Sequence, residues 1–177
     1  MEELIAKRYV KALLTDSNVK FIESISVLFS SLSKSFDEEK FINIINSNDV
    51  SNEDKTSLLL AAVKPAKSEK VNNFIKLLVE NKRVGIIPAI AEELRKELAN
   101  TTKTYSGTVF SDTNIKSSVL KDLGNGLSKK YDSKILLSFE KNDFNGIKVE
   151  VEDLGIEVNF SKDRINSQII EHIIKAI

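Results

Sequence analysis

The chain has 177 residues but no cysteine, no tryptophan and only one histidine. The lack of cysteine excludes disulfides, thiolate nucleophiles and cysteine-ligated metals. One histidine leaves little room for transition-metal sites or for the usual histidine-based catalytic dyads. These absences fit a reducing cytoplasmic compartment and shift the search for function from catalysis to binding.

An excess of either charge is also missing, because 26 basic residues balance 26 acidic ones. Proteins that bind nucleic acid through phosphates usually carry a basic excess, so the balance argues against a nucleic-acid partner. No run approaches the roughly 18 apolar residues that span a bilayer. The charged start Met1-Glu-Glu-Leu-Ile-Ala-Lys-Arg8 does not resemble a secretory signal. We therefore expect no direct insertion into a membrane.

Glycine is nearly absent from the first half, where Gly85 is the only one before Gly107. From Leu4 to about Lys103, apolar residues recur every three or four positions, which predicts helices. Residues 1–103 are expected to form an amino-terminal bundle of about six helices with short connections. The clearest apolar stripe comprises Phe21, Ile22, Ile25, Leu28, Phe29, Leu32 and Phe36.

Capping residues and prolines place several helix ends. Ser51-Asn-Glu-Asp54 resembles a capping box, and Ser68 and Asp37 are placed to cap the helices that follow them. Pro65 predicts a helix end. Pro88 falls in the first turn of the sixth helix, where a missing amide costs little.

Beyond Thr101 the apolar period changes from 3.6 to 2, which predicts a second domain over residues 104–177. Thr104 to Ser111 and Ile135 to Phe139 are strand candidates. Residues 145–160 predict an antiparallel hairpin, with turns at Asn145-Gly146 and Asp153-Leu-Gly155. Two helices complete the domain; their apolar residues are Ile115, Val119, Leu123 and Leu127 in one, and Ile165, Ile169, Ile173 and Ile177 in the other. The fold class is an α-helical bundle followed by a small α/β domain with a mixed or antiparallel sheet.

Few residues are candidates for chemistry. Gly124-Asn-Gly126 lacks the third glycine and the lysine of a phosphate-binding loop, and His172 has no second histidine near it. Three carboxylates, Glu150, Glu152 and Asp153, leave open an enzyme with paired acids, although strand alternation places the two glutamates on a solvated face. We expect no catalytic residue, no metal and no cofactor.

The first and fifth helices carry more apolar surface than a small bundle needs. In the first helix, Ala6, Val10 and Ala12 lie beside a stripe of Ile5, Tyr9 and Leu13. The fifth helix adds Leu77 and Val79 to its own stripe. Two interpretations remain open: the surplus is core, or it forms a groove for an incoming amphipathic helix.

Three segments resemble one known family, the delta subunit of bacterial F-type ATP synthases, which is similar to the mitochondrial oligomycin-sensitivity-conferring protein. Ala6-Lys-Arg-Tyr-Val-Lys-Ala-Leu13 resembles the opening Arg-Tyr-Ala-Lys-Ala-Leu helix of the family. The segment from Phe74 to Ile90 contains its Phe-x-x-Leu-Leu-x-x-Asn-x-Arg signature. Tyr105-Ser-Gly-Thr-Val-Phe-Ser111 is similar to the first strand of the family's carboxyl-terminal domain.

The resemblance implies a non-catalytic stator subunit at the cytoplasmic face of the bacterial inner membrane. Its first domain would receive amino-terminal helices of the alpha subunits of the catalytic head, and its second would hold the carboxyl-terminal ends of the b-type stalk. The subunit would keep the head from turning with the rotor. Carried over by position, the head-binding residues are Ala6, Tyr9, Val10, Leu13, Phe74, Leu77 and Leu78.

The second domain departs from the family pattern. Asn145-Gly146 stands where the family usually has Gly-Gly, and Glu157-Val-Asn-Phe-Ser161 replaces its Ile-Asp-Gly-Ser turn. The stalk contact is therefore assigned only to the last strands and the last helix. The residue patterns also leave open a helical RNA-binding regulator of the antitermination type, which would bind RNA in a salt-sensitive way.

Overall fold

The computed structural model describes residues 2–162 and divides the chain into two compact units, Met1–Thr101 and Thr102–Ile177. The described helices of the first unit are α1 (Glu2–Leu14), α2 (Val19–Lys34), α3 (Glu39–Asn46), α4 (Asn52–Val63), α5 (Glu69–Glu80) and α6 (Ile87–Thr102). Short 3-10 turns lie between some of them. This arrangement confirms the predicted six-helix bundle.

Side chains cap the helices largely where the sequence indicates. The Ser51 hydroxyl accepts a hydrogen bond from the Asp54 amide at 3.1 Å and donates to the Asp54 carboxylate at 2.7 Å, which closes the amino end of α4. Ser68 accepts from the Val71 amide and starts α5. The prediction for Asp37 was wrong, because that residue lies in a 3-10 turn and Glu38 occupies the cap position of α3 without a side-chain bond.

The first unit is held by one contiguous apolar core. Its largest fully buried side chains come from α2, α4, α5 and α6, and they are Ile25, Phe29, Leu59, Ile75, Leu78, Ile87, Ile90 and Leu94. One face of each helix supplies them, as the 3.6-residue period predicts.

Two details of the core correct the predicted stripes. Helix α1 buries Ala6, Val10 and Leu13, whereas Ile5 and Tyr9 are only half-buried. The predicted stripe is therefore correct at Leu13 and displaced by one residue at its other two positions. Val79, expected as surplus surface, is also buried in the core.

The described part of the second unit contains β1 (Thr104–Ser111), α7 (Ser117–Lys130), β2 (Lys134–Lys141), β3 (Gly146–Val151) and β4 (Ile156–Ser161). The strands form one mixed sheet in the order β2-β1-β3-β4. Strand β1 runs parallel to β2 and antiparallel to β3, and β3 and β4 form the predicted hairpin. A parallel pair needs a long crossover, which α7 provides between β1 and β2.

One glycine lets α7 approach the sheet. Gly124 is buried, and a Cβ built there would lie 3.1 Å from the carbonyl oxygen of Ile135 in β2. The sequence shows this glycine only as a weak point in a helix. In the fold, its missing side chain brings α7 against β2.

A cluster of bonds fixes one end of the sheet. The Ser111 hydroxyl donates to the carbonyl oxygen of Gly146 at 2.6 Å, and the Asp112 amide donates to the carbonyl oxygen of Phe144 at 3.1 Å. The Lys162 ammonium pairs with the Asp112 carboxylate at 2.9 Å. This cluster ties the end of β1 to the start of β3 and the end of β4.

The predicted last helix, with its isoleucines at 165, 169, 173 and 177, lies outside the described residues, as does His172.

Candidate partner-binding site

The candidate site begins with the way α1 and α5 meet. Helix α1 carries Glu2 and Glu3 in its first turn, where negative charge favours the positive helix end. Its small residues Ala6 and Val10 are buried. The larger side chains of Ile5 and Tyr9 are only partly buried and pack against the core.

Phe74 of α5 links that edge to the interior. Its ring lies edge-on to Tyr9, with ring centroids 6.0 Å apart, and edge-on to Phe29 at 5.9 Å. Edge-to-face pairs of this kind are favoured by the ring quadrupoles and contribute about 0.5–1.5 kcal/mol each. Tyr9 is therefore held in place by a chain of rings that reaches into the core.

Leu77 lies one turn after Phe74 and 45% of it is exposed. Residues three apart are neighbours on a helix surface, so Leu77 extends the apolar surface that Tyr9 and Phe74 begin. On α1, half-buried Ile5 and exposed Ala12 flank Tyr9 at the same kind of spacing. We call Ile5, Tyr9, Ala12 and Leu77 the α1–α5 surface; buried Phe74 packs against its Tyr9.

The carboxyl end of α5 is closed by its own residues. The Asn81 side-chain amide donates to the carbonyl oxygen of Leu77 at 2.8 Å, and the Arg83 amide donates to that of Leu78 at 2.7 Å. Lys82 has a positive φ of 54°, as a helix-ending residue often does. The Asn-x-Arg part of the hairpin motif thus ends α5, and buried Val84 and Ile86 lead into α6.

A cross-link fixes the other end of the pair. The Lys70 ammonium at the start of α5 donates to the carbonyl oxygen of Thr15 at 2.6 Å and to the Ser17 hydroxyl at 3.1 Å. It also lies 5.8 Å from the centre of the Phe21 ring. A cation at the carboxyl end of α1 interacts favourably with the negative end of the helix dipole. Lys70 therefore helps to hold α1 against α5.

The seven residues carried over for head binding fall into two groups. One group has five residues that are buried in the core and offer little surface to a partner: Ala6, Val10, Leu13, Phe74 and Leu78. Tyr9 and Leu77 have exposed surface. Sequence reasoning assigned Ile5 to the core stripe of α1, although its position four residues before Tyr9 places it beside Tyr9 on the helix surface.

The carboxylates weighed for catalysis do not gather into one site. Glu150 of β3 pairs with Lys148 across one residue, and Lys148 also contacts Glu157 of β4 at 3.5 Å. The hydrogen bond from Lys148 to Glu150 raises the pKa of that lysine. Glu152 was predicted on the strand but lies in the turn after β3. Residues 2–162 contain no group of three or more histidine, cysteine or acidic side chains suited to a metal.

Within the described part of the chain, no helix combines the length and apolar character needed to cross a membrane.

Comparison with known proteins decides the family. The family model described as "ATP synthase delta (OSCP) subunit" matches residues 5–168. This chain belongs to the ATP synthase delta (OSCP) family. Delta subunits are structural components, so the chain is a subunit of an ATP synthase and not an enzyme in its own right.

Two relatives named ATP synthase subunit delta align over 177 residues, 100% of this chain and of theirs. The relative from Sulfurimonas denitrificans is 58% identical and that from Aliarcobacter butzleri is 40% identical. A chain in the cryo-EM structure of the Toxoplasma gondii mitochondrial ATP synthase hexamer has a TM-score of 0.61 at 17% identity. The alignment covers 93% of this chain and 97% of that one, and at this identity the likeness concerns the fold.

Membership of the ATP synthase delta family favours a subunit of that complex over the antitermination-type regulator. It does not name the residues that contact other subunits. Those residues have to be argued from the surface of the chain.

Proposed function

We propose that this delta-family subunit acts as a stator, which joins the catalytic head of the ATP synthase to its peripheral stalk and resists the torque of the rotor. The α1–α5 surface would receive an amphipathic amino-terminal helix of an alpha subunit. The observation that carries this assignment is the exposed apolar side chain of Leu77, one helical turn after Phe74, whose ring packs against half-buried Tyr9.

The chemistry of this surface suits a helix. A helix that docks in a groove presents apolar residues at positions i, i+3, i+4 and i+7, and it needs an apolar strip of similar length. Ile5, Tyr9 and Ala12 span two turns of α1, and Leu77 flanks them from α5. Burial of such side chains contributes about 25 cal/mol per Å² of apolar area removed from water.

The way α1 and α5 are held together suits a subunit that carries load. Lys70 fixes one end of the pair, and the chain of rings from Tyr9 through Phe74 to Phe29 fixes its middle. Close-packed cores transmit force because they deform little. A helix docked on this surface would therefore pull on the whole bundle and not on one loose side chain.

The second contact of the proposed stator is with the carboxyl-terminal ends of the b-type stalk subunits. We assign it to the last strands and to the residues that follow them. Strand β4 is at the edge of the sheet, and its Phe160 is 49% exposed. The subunit would then act at the cytoplasmic face of the bacterial inner membrane, as a peripheral part of the complex.

The test is a calorimetric titration of the full chain with a peptide from the amino terminus of its cognate alpha subunit. Leu77→Glu should raise the dissociation constant about 30-fold, since lost apolar burial and a desolvated carboxylate together cost about 2 kcal/mol. Tyr9→Ala should weaken binding as well. Leu58→Glu on α4 is the matched control, because Leu58 is 40% exposed and lies outside the surface.

Equal affinities for the parent, Leu77→Glu and Tyr9→Ala would rule out the α1–α5 surface as the docking site. A circular dichroism spectrum of each variant checks that the helices remain intact.

A further inference from the structure

The chain contains two Asn-Gly pairs, Asn125–Gly126 and Asn145–Gly146. Asparagine is chemically labile in such pairs, because the backbone nitrogen of the next residue can attack its side-chain carbonyl carbon and glycine puts no side chain in the way. Both asparagines are exposed. Exposure therefore does not distinguish the two pairs, and a difference between them has to come from the backbone that holds each glycine nitrogen.

Asn125 lies in the interior of α7. In a helical ladder the Gly126 amide donates to the carbonyl four residues earlier, which is that of Asp122. The preceding residue, Gly124, packs against β2, where the carbonyl oxygen of Ile135 lies 3.1 Å from its Cβ position. To bring the Gly126 nitrogen onto the Asn125 side chain, α7 has to open in its middle, which breaks several ladder bonds at once.

Asn145 lies outside the strands, in the turn that joins β2 to β3. The Gly146 amide donates to the carbonyl oxygen of Phe144 at 2.8 Å, only two residues earlier, and a bond in so tight a turn is bent and weak. The same oxygen accepts the Asp112 amide at 3.1 Å, so it keeps a partner when the Gly146 amide leaves. The carbonyl oxygen of Asn145 accepts the Lys162 amide at 3.0 Å, and this bond breaks as well when the turn opens.

Opening at Asn145 breaks a tight turn, whereas opening at Asn125 breaks a packed helix. We propose that Asn145 is a site of spontaneous deamidation, in which Gly146 supplies the attacking nitrogen, and that α7 protects Asn125. The proposal rests on these two backbone environments and does not depend on the α1–α5 surface.

The reaction needs only water and base. The Gly146 nitrogen gives its proton to base and bonds to Cγ of Asn145, ammonia leaves, and a succinimide ring forms. Water then opens the ring at either carbonyl carbon, which gives aspartate or isoaspartate at position 145. The net reaction consumes water and releases ammonia, and no atom is oxidised or reduced.

The isoaspartate product disturbs the end of the sheet, because it adds a methylene to the main chain before Gly146. Gly146 has no room to shift, since its Cβ position lies 2.1 Å from the carbonyl oxygen of Phe160. Its own carbonyl oxygen accepts the Ser111 hydroxyl at 2.6 Å. Either product also adds a carboxylate to the cluster of bonds that ties β1, β3 and β4 together.

The test ages the full chain in a mildly alkaline buffer, folded and in concentrated urea, and follows both pairs by mass spectrometry. Cleavage after lysine places Asn125 in the peptide 122–129 and Asn145 in the peptide 142–148, so one sample gives both rates. In the folded chain, Asn145 should convert at least about tenfold faster than Asn125, because each rate follows the population of its open form. In urea, where neither pair is held, the two rates should agree within about threefold.

Asn145→Ser is the matched variant for the effect on the sheet, because it removes the labile amide. Hydrogen exchange of β3 and β4 should become at least about threefold faster in the converted fraction of the aged parent and should stay constant on ageing in Asn145→Ser. Asn145→Asp carries the new charge without the added methylene, so it separates the two causes. Equal exchange in the aged parent and the aged Asn145→Ser would overturn the proposed effect on the sheet.

Two results would overturn the proposed site itself. One is conversion at Asn125 as fast as at Asn145 in the folded chain, which would show that α7 opens as readily as the turn. The other is conversion at Asn145 in urea but not in the folded chain, which would show that the turn protects its asparagine. Neither result bears on binding of the alpha-subunit peptide, so this proposal and the stator role fail separately.

Discussion

The helical unit and the sheet unit are stabilised in different ways. Of the twelve largest side chains that are fully buried within residues 2–162, eleven lie in the helical unit, and only Val109 belongs to the sheet. The sheet unit depends more on backbone register, on glycines at close approaches and on ion pairs at its end. A change of side-chain volume and a change of backbone freedom should therefore affect the two units differently.

Phe29→Ala should have the largest effect. Phe29 is fully buried and contacts Phe74, so its loss leaves a cavity and removes a ring pair, at a cost of about 3–5 kcal/mol in unfolding free energy. Val109→Ala in the sheet should cost about 2 kcal/mol, since it removes fewer atoms. Urea unfolding followed by circular dichroism measures both. A smaller loss for Phe29→Ala than for Val109→Ala would contradict the comparison.

Gly146→Ala should be the most damaging glycine substitution. Gly146 has φ of 150°, and a Cβ there would lie 2.1 Å from the carbonyl oxygen of Phe160 in the paired strand. Strain and overpacking together should cost about 3 kcal/mol. Gly126→Ala is the control, because nothing lies within 4 Å of its Cβ position in α7.

Gly126→Ala should stabilise the chain by about 0.5–1 kcal/mol, since alanine is the better helix former. The midpoint temperature of thermal unfolding should therefore fall in Gly146→Ala and rise in Gly126→Ala. A shift in the same direction would show that backbone conformation does not govern these positions.

Helix capping should show a smaller difference between the units. Ser51→Ala removes the bond to the Asp54 amide and should cost about 1 kcal/mol. Lys116 occupies the cap position before α7, where its backbone is extended but its side chain makes no cap bond. Lys116→Ser should therefore stabilise the sheet unit by about 0.5–1 kcal/mol. Hydrogen exchange of the first turns of α4 and α7 measures each change locally.

The smallest effect concerns the ion pair of the sheet unit and depends on pH. The hydrogen bond from Lys162 lowers the pKa of Asp112 from its ordinary value of 3.8. A lowered pKa in the folded state adds stability above the unfolded value, and that stability is lost as the pH falls through the folded value. The difference between the parent and Asp112→Asn should be constant near neutral pH and disappear in acid.

Urea unfolding at pH 7 and below pH 3 tests this point. A difference between the parent and Asp112→Asn that grew in acid would have the wrong sign.

How far the sequence predicts this protein differs between the two units. Strand β1 begins and ends where alternation places it, because a half-buried strand reveals its buried face residue by residue. The buried face of helix α1 was harder to predict. Two sets of apolar residues have helical spacing there: the predicted set Ile5, Tyr9 and Leu13, and the buried set Ala6, Val10 and Leu13. The period alone does not indicate which set faces the core.

The α1–α5 surface shows the same limit. The surplus of apolar residues on α1 and α5 is visible in the sequence, but the exposure of Leu77 and the burial of Val79 depend on which helices pack against α5.

The sequence by itself determines the six-helix bundle, the change to a sheet near Thr101, the helix caps at Ser51 and Ser68 and the family, because these depend on local period, local hydrogen bonds and residue order. Only the tertiary structure decides that β2 pairs with β1 in parallel, that Gly124 lets α7 pack closely against β2 and that Leu77 stays exposed. These features depend on which distant residues meet, and side-chain packing between elements has no period along the chain.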